Sequence, residues 1–496
     1  PILMPVLPFC FWAFKTRLNW HHSPIPASSI YIGTTLNHYD FASLSLKSGL
    51  RNNLSSLGYQ QMTAVQAGAL PRILDGVDLI AQAKTGSGKT VAFGLGVLQK
   101  LEVKRFAVQS LVLCPTRELA DQVARELRKL ARGVHNVKVL TLCGGMPFGP
   151  QVGSLEHGAH IIVGTPGRVE EHLRKGNLKL DALSMLVLDE ADRMLEMGFQ
   201  ATLDAIVEKM PKQRQTLLFS ATYPDEIRVI SKRVMNQPEL LQIKEQHSAT
   251  TIAQSFYYVN DNAERVEAVL RLLLEHRPDS AVVFCNTRRD TEEVAARLRE
   301  ANLKVIALHG ELDQRARDQA LVCFANKSVS VLVATDVAAR GLDIEELDMV
   351  INYHIARDPE VHTHRIGRTG RAGAKGRACS LFGDRERQKI ERLEAQSQAT
   401  IRPEPLPTAA VLSSPGYKPA MVCLQLDSGK KQKIRPGDIL GALTREDGVA
   451  GKEVGKIHIF DNCAYVAVRR HVADQALRTL MAGKLKGRSV RVRKIR

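Results

Sequence analysis

The chain has 496 residues, which suggests about three domains and argues against a single compact fold. Hydrophobic residues make up 44% of the chain and charged residues 24%, which excludes a disordered chain, a collagen and a membrane bundle. Lysine and arginine number 69 against 52 acidic residues, and the net charge of +17 favours a polyanionic partner, nucleic acid before a membrane surface. Composition alone does not choose between those two partners.

The eight cysteines are scattered, without a CxxC pair or a tight His/Cys cluster. Neither a zinc site nor a disulfide framework is therefore expected, and a reducing, cytoplasmic setting is predicted. An apolar run at residues 1–14 precedes Lys15 and Arg17, whereas a signal peptide has its charges first, and the run is too short to span a bilayer. We interpret residues 1–38 as an extension of doubtful structure, with export as the less favoured alternative.

From residue 39 to residue 241, short apolar runs alternate with stretches of helical character. Continuous apolar runs separated by helices are typical of a parallel sheet covered on both faces, so we predict a first α/β domain here. The predicted strands lie at residues 79–83, 110–115, 137–142, 160–166, 185–192 and 216–222.

A second series of the same kind over residues 242–400 predicts a second α/β domain in tandem with the first. Residues 401–419 contain five prolines and are interpreted as a linker. The predicted strands of the second domain lie at residues 280–287, 304–310, 330–336, 349–355 and 377–383.

The pattern changes over residues 420–496, where the order of apolar runs and helical stretches is βαββαβ. This order predicts a small, separate α+β domain. Residues from Glu404 to Arg496 include 18 lysines and arginines against 8 acidic residues, a surplus of +10. More than half of the net charge therefore lies in the last fifth of the chain.

The string AKTGSGKT at residues 83–90 follows the first predicted strand and opens a helix, the setting that a phosphate loop requires. Gly86 and Gly88 let backbone amides surround the phosphates of a nucleotide, Lys89 reaches the β and γ oxygens, and the Thr90 hydroxyl is placed to bind Mg²⁺. The predicted loop comprises Ala83, Lys84, Thr85, Gly86, Ser87, Gly88, Lys89 and Thr90.

A later predicted strand ends in the string DEAD at residues 189–192. Asp189 is placed to hold Mg²⁺, partly through water, and Glu190 to orient and deprotonate an attacking water. The string HRIGRTGR at residues 364–371 contains three arginines, which suit the charge that develops on a γ-phosphate. An RNA-facing or solvated basic turn is the other interpretation of that string.

Together, these strings resemble the DEAD-box RNA helicases over residues 41–382. The resemblance implies two tandem RecA-like domains and an ATP-dependent, RNA-stimulated hydrolase that uses ATP and Mg²⁺. It also implies that Gln66 hydrogen-bonds the adenine, that Phe41 stacks on it, and that Asp343 lies near the ribose. The implied catalytic residues are Lys89, Asp189, Glu190, Arg368 and Arg371, the last two as arginine fingers.

The same resemblance implies a set of coupling residues and a set of RNA-binding residues. The hydroxyls of Thr116 and Thr165 and the Gly145 amide suit phosphate and 2′-OH contacts, so we expect the core to be blind to RNA sequence. The implied coupling residues are Asp192, Ser220, Thr222 and His364. The implied RNA-binding residues of the core are Thr116, Arg117, Gly145, Thr165, Arg168, Arg317 and Thr335.

The last domain resembles an RNA-recognition motif with a depleted stacking platform, because Tyr465 is the one aromatic residue left in its third-strand signature. We therefore expect RNA to bind mainly through basic segments, with a solubilising basic face as the alternative. The candidate RNA-binding residues are Lys430, Lys431, Lys433, Arg435, Tyr465, Lys484, Lys486 and Arg488.

Residues 429–444, 455–457 and 483–493 resemble the DbpA subgroup of bacterial helicases. This resemblance implies that the last domain anchors a hairpin in the peptidyl-transferase region of 23S ribosomal RNA. It implies ATP-dependent remodelling of that RNA during large ribosomal subunit assembly, by a monomer that binds neither membrane nor DNA.

Other functions remain open at this point. A general RNA chaperone or an ATP-gated RNA clamp would use the same motifs without ribosomal specificity. A DNA helicase is disfavoured by the adenine-reading motif and the RNA-type tail. A purely structural RNA-binding protein is the least favoured, because it would need neither Lys89 nor Glu190.

Overall fold

The computed structural model describes residues 29–32, 40–83, 86–243, 252–336, 347–370, 376–446 and 448–495, with backbone alone at residues 29–32. Four predicted site residues lie outside these ranges: Lys84, Thr85, Asp343 and Arg371. Most of the expected extension at residues 1–38 lies outside them as well.

The first α/β domain is built on an eight-stranded sheet in which every neighbouring pair is parallel. The strands are β1 (Ser29–Ile32), β2 (Leu79–Gln82), β3 (Ser110–Leu113), β4 (Val139–Leu142), β5 (Ile161–Gly164), β6 (Met185–Asp189), β7 (Gln215–Ser220) and β8 (Glu239–Ile243). Their order across the sheet is β1-β8-β2-β7-β6-β3-β5-β4.

Helices connect these strands and cover the apolar sheet. Strands β3, β5, β6 and β7 are buried along their whole length, as expected for a parallel sheet covered on both faces. The helices are α1 (Ser48–Ser56), α2 (Ala64–Asp75), α3 (Lys89–Lys100), α4 (Arg117–Leu130), α5 (Phe148–Glu156), α6 (Pro166–Arg174), α7 (Ala191–Glu196), α8 (Gln200–Val207) and α9 (Asp225–Val234).

The second α/β domain has a six-stranded sheet, again parallel in every neighbouring pair, with the order β11-β12-β10-β13-β14-β9. Its strands are β9 (Ile252–Tyr258), β10 (Ala281–Cys285), β11 (Val305–Leu308), β12 (Val331–Thr335), β13 (Met349–Asn352) and β14 (Gly376–Phe382). Its helices are α10 (Asn262–His276), α11 (Arg288–Glu300), α12 (Gln314–Ala325), α13 (Pro359–Ile366) and α14 (Arg387–Ser397).

The proline-rich linker lies against the second domain. The Glu404 amide donates to the Phe256 carbonyl at 2.7 Å, and Arg271 Nη1 donates to the Pro407 carbonyl at 3.2 Å. Linker side chains, Leu406 and Tyr417 among them, pack on the core of that domain. The linker is therefore an ordered strap rather than a free tether.

The C-terminal domain has an antiparallel sheet of four strands in the order β16-β17-β15-β18, and its elements follow the predicted βαββαβ sequence. Its elements are β15 (Met421–Leu426), α15 (Pro436–Leu443), β16 (Val454–Ile459), β17 (Ala464–Arg469), α16 (Ala473–Ala482) and β18 (Val492–Lys494). The predicted fold class, two parallel-sheet domains followed by an α+β domain, is confirmed.

Both faces of the C-terminal sheet are covered. Leu424 and Val466 face the core formed with α15 and α16. Their neighbours on the opposite face, Cys423 and Tyr465, pack against Cys323 near the end of α12. The face that an RNA-recognition motif uses for base stacking is therefore an interface with the second α/β domain.

Candidate nucleotide and RNA-binding sites

The phosphate loop has the backbone shape that anion binding requires. Gly86 and Gly88 have φ angles of 82° and 95°, in the left-handed region that glycine adopts without strain. Gly88 immediately precedes α3, so the unpaired amides at the start of that helix are available to a phosphate. The Ala83 amide donates to the Ser220 carbonyl at 2.9 Å and ties the loop to the end of β7.

Lys89 at the start of α3 and Asp189 at the end of β6 are buried, at 6% and 2% exposure. Over the described residues, neither Lys89 Nζ nor Asp189 Oδ1 has a hydrogen-bond partner. Burial raises the pKa of Asp189 to about 6, against the opposing attraction of Lys89. Buried polar atoms without partners are costly, so the pair fits a ligand that brings a phosphate oxygen to Lys89 and a cation to Asp189.

Glu190 has a strained backbone. Its φ and ψ are both 52°, the left-handed conformation, and the residue directly precedes α7. A non-glycine residue in this conformation costs about 1–2 kcal/mol, and such strain is concentrated at functional sites. The left-handed backbone at Glu190 therefore marks the turn between the end of β6 and the start of α7.

Asp192 connects the DEAD string to the end of β7. Its Oδ2 accepts hydrogen bonds from the amides of Ala221 and Thr222 at 3.2 and 3.1 Å, and from Thr222 Oγ1 at 3.1 Å. Ser220, the last residue of β7, is buried, and its Oγ has no hydrogen-bond partner in the part of the chain described. The predicted coupling residues of the first domain thus form one connected group.

Gln66 is fastened to the phosphate loop. Its Oε1 accepts from the Thr63 amide at 2.9 Å, and its Nε2 donates to the Gly88 carbonyl at 3.1 Å. The Thr63 hydroxyl donates to the Ser87 carbonyl at 2.8 Å. A side-chain amide nitrogen carries two hydrogens, so an additional bond to adenine is compatible with this placement.

Phe41 is placed differently from the expectation. Its ring is 3% exposed and packs edge-to-face against Tyr59, with centroids 6.2 Å apart. A buried ring offers almost no open face, so this structure gives the expected adenine stacking no support. The sequence could not show this, because the contact with Tyr59 depends on the packing of α1.

The predicted RNA-binding residues of the first domain follow three neighbouring strands, since Thr116 and Arg117 follow β3, Gly145 follows β4, and Thr165 and Arg168 follow β5. Gly145 has φ 71°, and a Cβ there would lie 2.4 Å from Arg117 Nη1, so these two residues are in contact. Both threonines are buried. The predicted residues therefore lie at the carboxyl ends of three neighbouring strands, on one edge of the sheet.

Arg365 organises the carboxyl edge of the second sheet, a role that the sequence analysis missed. Its Nε and Nη2 each donate to the Asp336 carboxylate at 2.7 Å, and Nη2 also donates to Asn286 Oδ1 at 3.2 Å. Asp336 follows β12 and Asn286 follows β10, so the guanidinium fixes α13 against two strand ends. The string at residues 364–371 contains Arg365, but the spacing of its three arginines does not show which of them faces the sheet.

The other predicted residues of the second domain lie near this point or on α12. His364 is in α13, Arg368 follows α13, and the Arg368 carbonyl accepts from the Leu347 amide at 3.1 Å. Thr335 is the last residue of β12, and Arg317 lies in the first turn of α12.

The structure joins the two basic segments of the C-terminal domain. Lys486 Nζ donates to the Lys433 carbonyl at 2.6 Å and pairs with Asp438 at 3.3 Å. All seven predicted basic side chains of this domain are exposed. We call this surface the basic edge: Lys430, Lys431, Lys433, Arg435, Lys484, Lys486 and Arg488.

Tyr465 is also placed differently from the expectation. The ring is 1% exposed and lies between the C-terminal sheet and the second domain, edge-on to Phe460 at 5.7 Å. No face of the ring is open to a base in this structure, so the observed packing gives the predicted RNA contact of Tyr465 no support.

Within the described ranges, no group of His, Cys, Asp and Glu side chains could hold a metal ion on its own. Nor does any described helix have the length and hydropathy to cross a membrane.

Comparison with known families assigns three consecutive regions. Residues 63–230 match the DEAD/DEAH box helicase family, and residues 264–373 match the helicase conserved C-terminal domain. Residues 423–494 match the DbpA RNA binding domain.

Two curated relatives cover almost the whole chain. The ATP-dependent RNA helicase DbpA of Escherichia coli is 52% identical, over 89% of this chain and 96% of the relative. The Bacillus subtilis protein of the same name is 34% identical, over 92% and 99%. Among solved structures, Saccharomyces cerevisiae Dbp5 bound to RNA and ADP BeF3 matches 75% of this chain and 96% of that chain at 28% identity, with a TM-score of 0.66.

Proposed function

The chain belongs to the DEAD-box ATP-dependent RNA helicases of the DbpA type, and on that premise we propose that it remodels 23S ribosomal RNA during large ribosomal subunit assembly. The observation that carries the proposal is the pairing of a helicase core with the basic edge on a matched DbpA RNA binding domain. The core would separate or rearrange short helices near the anchored RNA. We propose that it acts as a monomer in the cytoplasm.

In the proposed nucleotide site, Gly86, Gly88 and Lys89 bind the phosphates, and Gln66 reads the adenine. The unpartnered Asp189 Oδ1 and the neighbouring Thr90 hydroxyl would hold Mg²⁺, Asp189 partly through water. Bound Mg²⁺ supplies charge neutralisation on the β and γ phosphate oxygens.

The proposed chemical step depends on Glu190, which follows Asp189 in the chain and has a strained, left-handed backbone. Glu190 would orient the attacking water and accept its proton. Arg368 and Arg371 are proposed as the arginines that stabilise the transition-state charge from the second domain. Such an arrangement makes hydrolysis depend on both α/β domains.

Coupling of hydrolysis to RNA is proposed to pass through Asp192 and residues 220–222. The three hydrogen bonds on Asp192 Oδ2 make the DEAD string and the end of β7 move together. We propose His364 as the coupling residue of the second domain, because it lies in α13 beside Arg365.

The proposed RNA contacts of the core are sequence-blind, and those of the C-terminal domain supply the specificity. Gly145 and Arg117 are adjacent and suit a phosphate. Thr116, Thr165, Arg168, Arg317 and Thr335 remain proposals for the rest of the RNA path. The basic edge replaces the sheet face as the surface for the anchoring hairpin, since the sheet face is occupied by α12.

The test is steady-state ATP hydrolysis at fixed low salt, with large-subunit ribosomal RNA compared with an unstructured polymer RNA at equal nucleotide concentration. We expect strong selective stimulation by the ribosomal RNA. In a Lys431→Glu/Lys484→Glu variant the selectivity should be lost, and the salt dependence of RNA binding should weaken by about one unit of slope for each phosphate contact removed.

The matched control is Lys452→Glu/Arg478→Glu, which makes the same charge change at exposed basic residues of the same domain outside the basic edge. Equal stimulation of the unaltered chain by both RNAs would contradict the ribosomal assignment and leave a general RNA helicase. Strand separation with a slowly hydrolysed nucleotide then tests for a clamp, which would hold RNA without separating strands. Deleting the whole C-terminal region is a poorer test, because the linker packs on the second domain.

A further inference from the structure

Two cysteines meet where the C-terminal domain packs on the second α/β domain. Cys323 lies near the end of α12, and Cys423 lies in β15, the first strand of the C-terminal sheet. They are 0% and 1% exposed and belong to one apolar cluster with Val322, Val329 and Tyr465. Both are free thiols.

The thiols are in contact with each other and with the buried side chain of Asn326. They share a hydrogen bond, and Asn326 Nδ2 donates to Cys423 Sγ at 3.3 Å. The hydrogen bond from Cys423 lowers the pKa of the Cys323 thiol, while the same bond and burial raise the pKa of Cys423. Of the two sulfurs, Cys323 is the better candidate to react first, because it accepts the hydrogen bond that Cys423 donates.

We propose that Cys323 and Cys423 form a disulfide when the protein meets a hydroperoxide, and that this bond locks the C-terminal domain onto α12. A small shift brings two sulfurs from hydrogen-bond contact to bonding distance, because a disulfide requires only that the two Cβ atoms lie close and face each other. The inference does not depend on the identity of the RNA.

The chemistry balances with the peroxide as the oxidant. The Cys323 thiolate attacks one peroxide oxygen, the O–O bond breaks, and a sulfenic acid and hydroxide form. The Cys423 thiol then attacks the Cys323 sulfur, the S–S bond forms, and the sulfenic oxygen leaves as water with the thiol proton. Each thiol has lost one proton and one electron, and the hydroperoxide ROOH is reduced to ROH and water, which for hydrogen peroxide are two waters.

Cys463 is the competing partner. It packs against the same cluster, is partly exposed, and burial raises the pKa of its thiol. A peroxide that acted on accessibility alone would oxidise Cys463 first. A disulfide between Cys323 and Cys423 would instead show that the contact between these two thiols, rather than exposure to solvent, determines which cysteines are oxidised.

The experiment treats the full chain with increasing hydrogen peroxide, blocks the remaining thiols by alkylation, and maps unreduced peptides by mass spectrometry. We expect a peptide pair joined through Cys323 and Cys423, lighter by two hydrogen atoms than the separate peptides and released by dithiothreitol. The joined peptide should persist in Cys463→Ser and vanish in both Cys323→Ser and Cys423→Ser. The thermal midpoint should rise reversibly on oxidation in the unaltered chain and in Cys463→Ser only.

Two results would overturn the proposal: oxidised protein whose joined peptides involve Cys463 instead, or Cys323 and Cys423 that remain free thiols while Cys463 is oxidised. The unaltered chain carries the main measurement, so a variant that folds poorly does not blur the result.

Discussion

Replacing Asp192 with Ala tests the connection between the DEAD string and the end of β7. The carboxylate accepts three hydrogen bonds through Oδ2, and a methyl group accepts none. Asn would be a weaker change, because its oxygen can turn toward the same donors. Three partly buried bonds at about 1 kcal/mol each predict a loss of about 3 kcal/mol in the free energy of unfolding. Urea unfolding followed by circular dichroism measures that loss as a lower midpoint.

Thr222→Ala is the matched control, because it removes the hydroxyl bond and leaves the two amide bonds in place. We expect a loss of about 1 kcal/mol for this variant. Strand separation per ATP hydrolysed should fall further in Asp192→Ala than in Thr222→Ala. An Asp192→Ala variant no less stable than Thr222→Ala would refute the account of three bonds, and an unchanged separation ratio would refute the coupling role.

Three further outcomes are expected. Glu190→Gln should keep its equilibrium binding of ATP and RNA, while its rate of phosphate release should fall by about 10²–10⁴-fold. Hydrolysis at the unaltered rate would exclude Glu190 as the base. Burial lowers the pKa of His362 to about 4, so the folded state binds fewer protons than the unfolded state, and about 3 kcal/mol of stability should be lost as the pH falls from about 6.5 to 4. His362→Gln should flatten that pH dependence of urea unfolding, and an identical slope would assign the effect elsewhere. Arg365→Lys should cost about 2–3 kcal/mol in the same measurement, because an ammonium cannot reproduce the bidentate bond to Asp336; a loss below that of an exposed control such as Arg297→Lys would contradict the assigned role.

The sequence predicted most of the sheet strands because those strands are buried on both faces and read as continuous apolar runs. Strand β9 was missed, since it lies at a sheet edge and its residues alternate between exposed and buried. Strand β8 was missed as well, because its ends are only partly buried. Edge strands carry a weaker apolar signal than central strands.

The phosphate-loop and DEAD residues could be proposed from the sequence because they are contiguous in the strings at residues 83–90 and 189–192. The contacts that bury Tyr465 and Phe41 could not, because they are long-range: Tyr465 lies against the end of α12, and Phe41 lies against Tyr59. Local pattern shows that β17 alternates between two faces, but it does not show what covers the second face. Arg365 was overlooked for the same reason, since its partners lie at the ends of two distant strands.

The packed linker fixes the distance between the two domains that it connects, the second α/β domain and the C-terminal domain. In a free chain of the length of residues 401–419, the root-mean-square distance between the two ends would be about 24 Å. Because the linker and the sheet face are both held on the second α/β domain, the basic edge lies at a fixed distance from that domain. Under the proposed function, an RNA hairpin bound at the basic edge would present to the second domain only those helices that lie at the matching distance along the RNA. We therefore expect that moving such a helix by a few base pairs would lower the rate of strand separation.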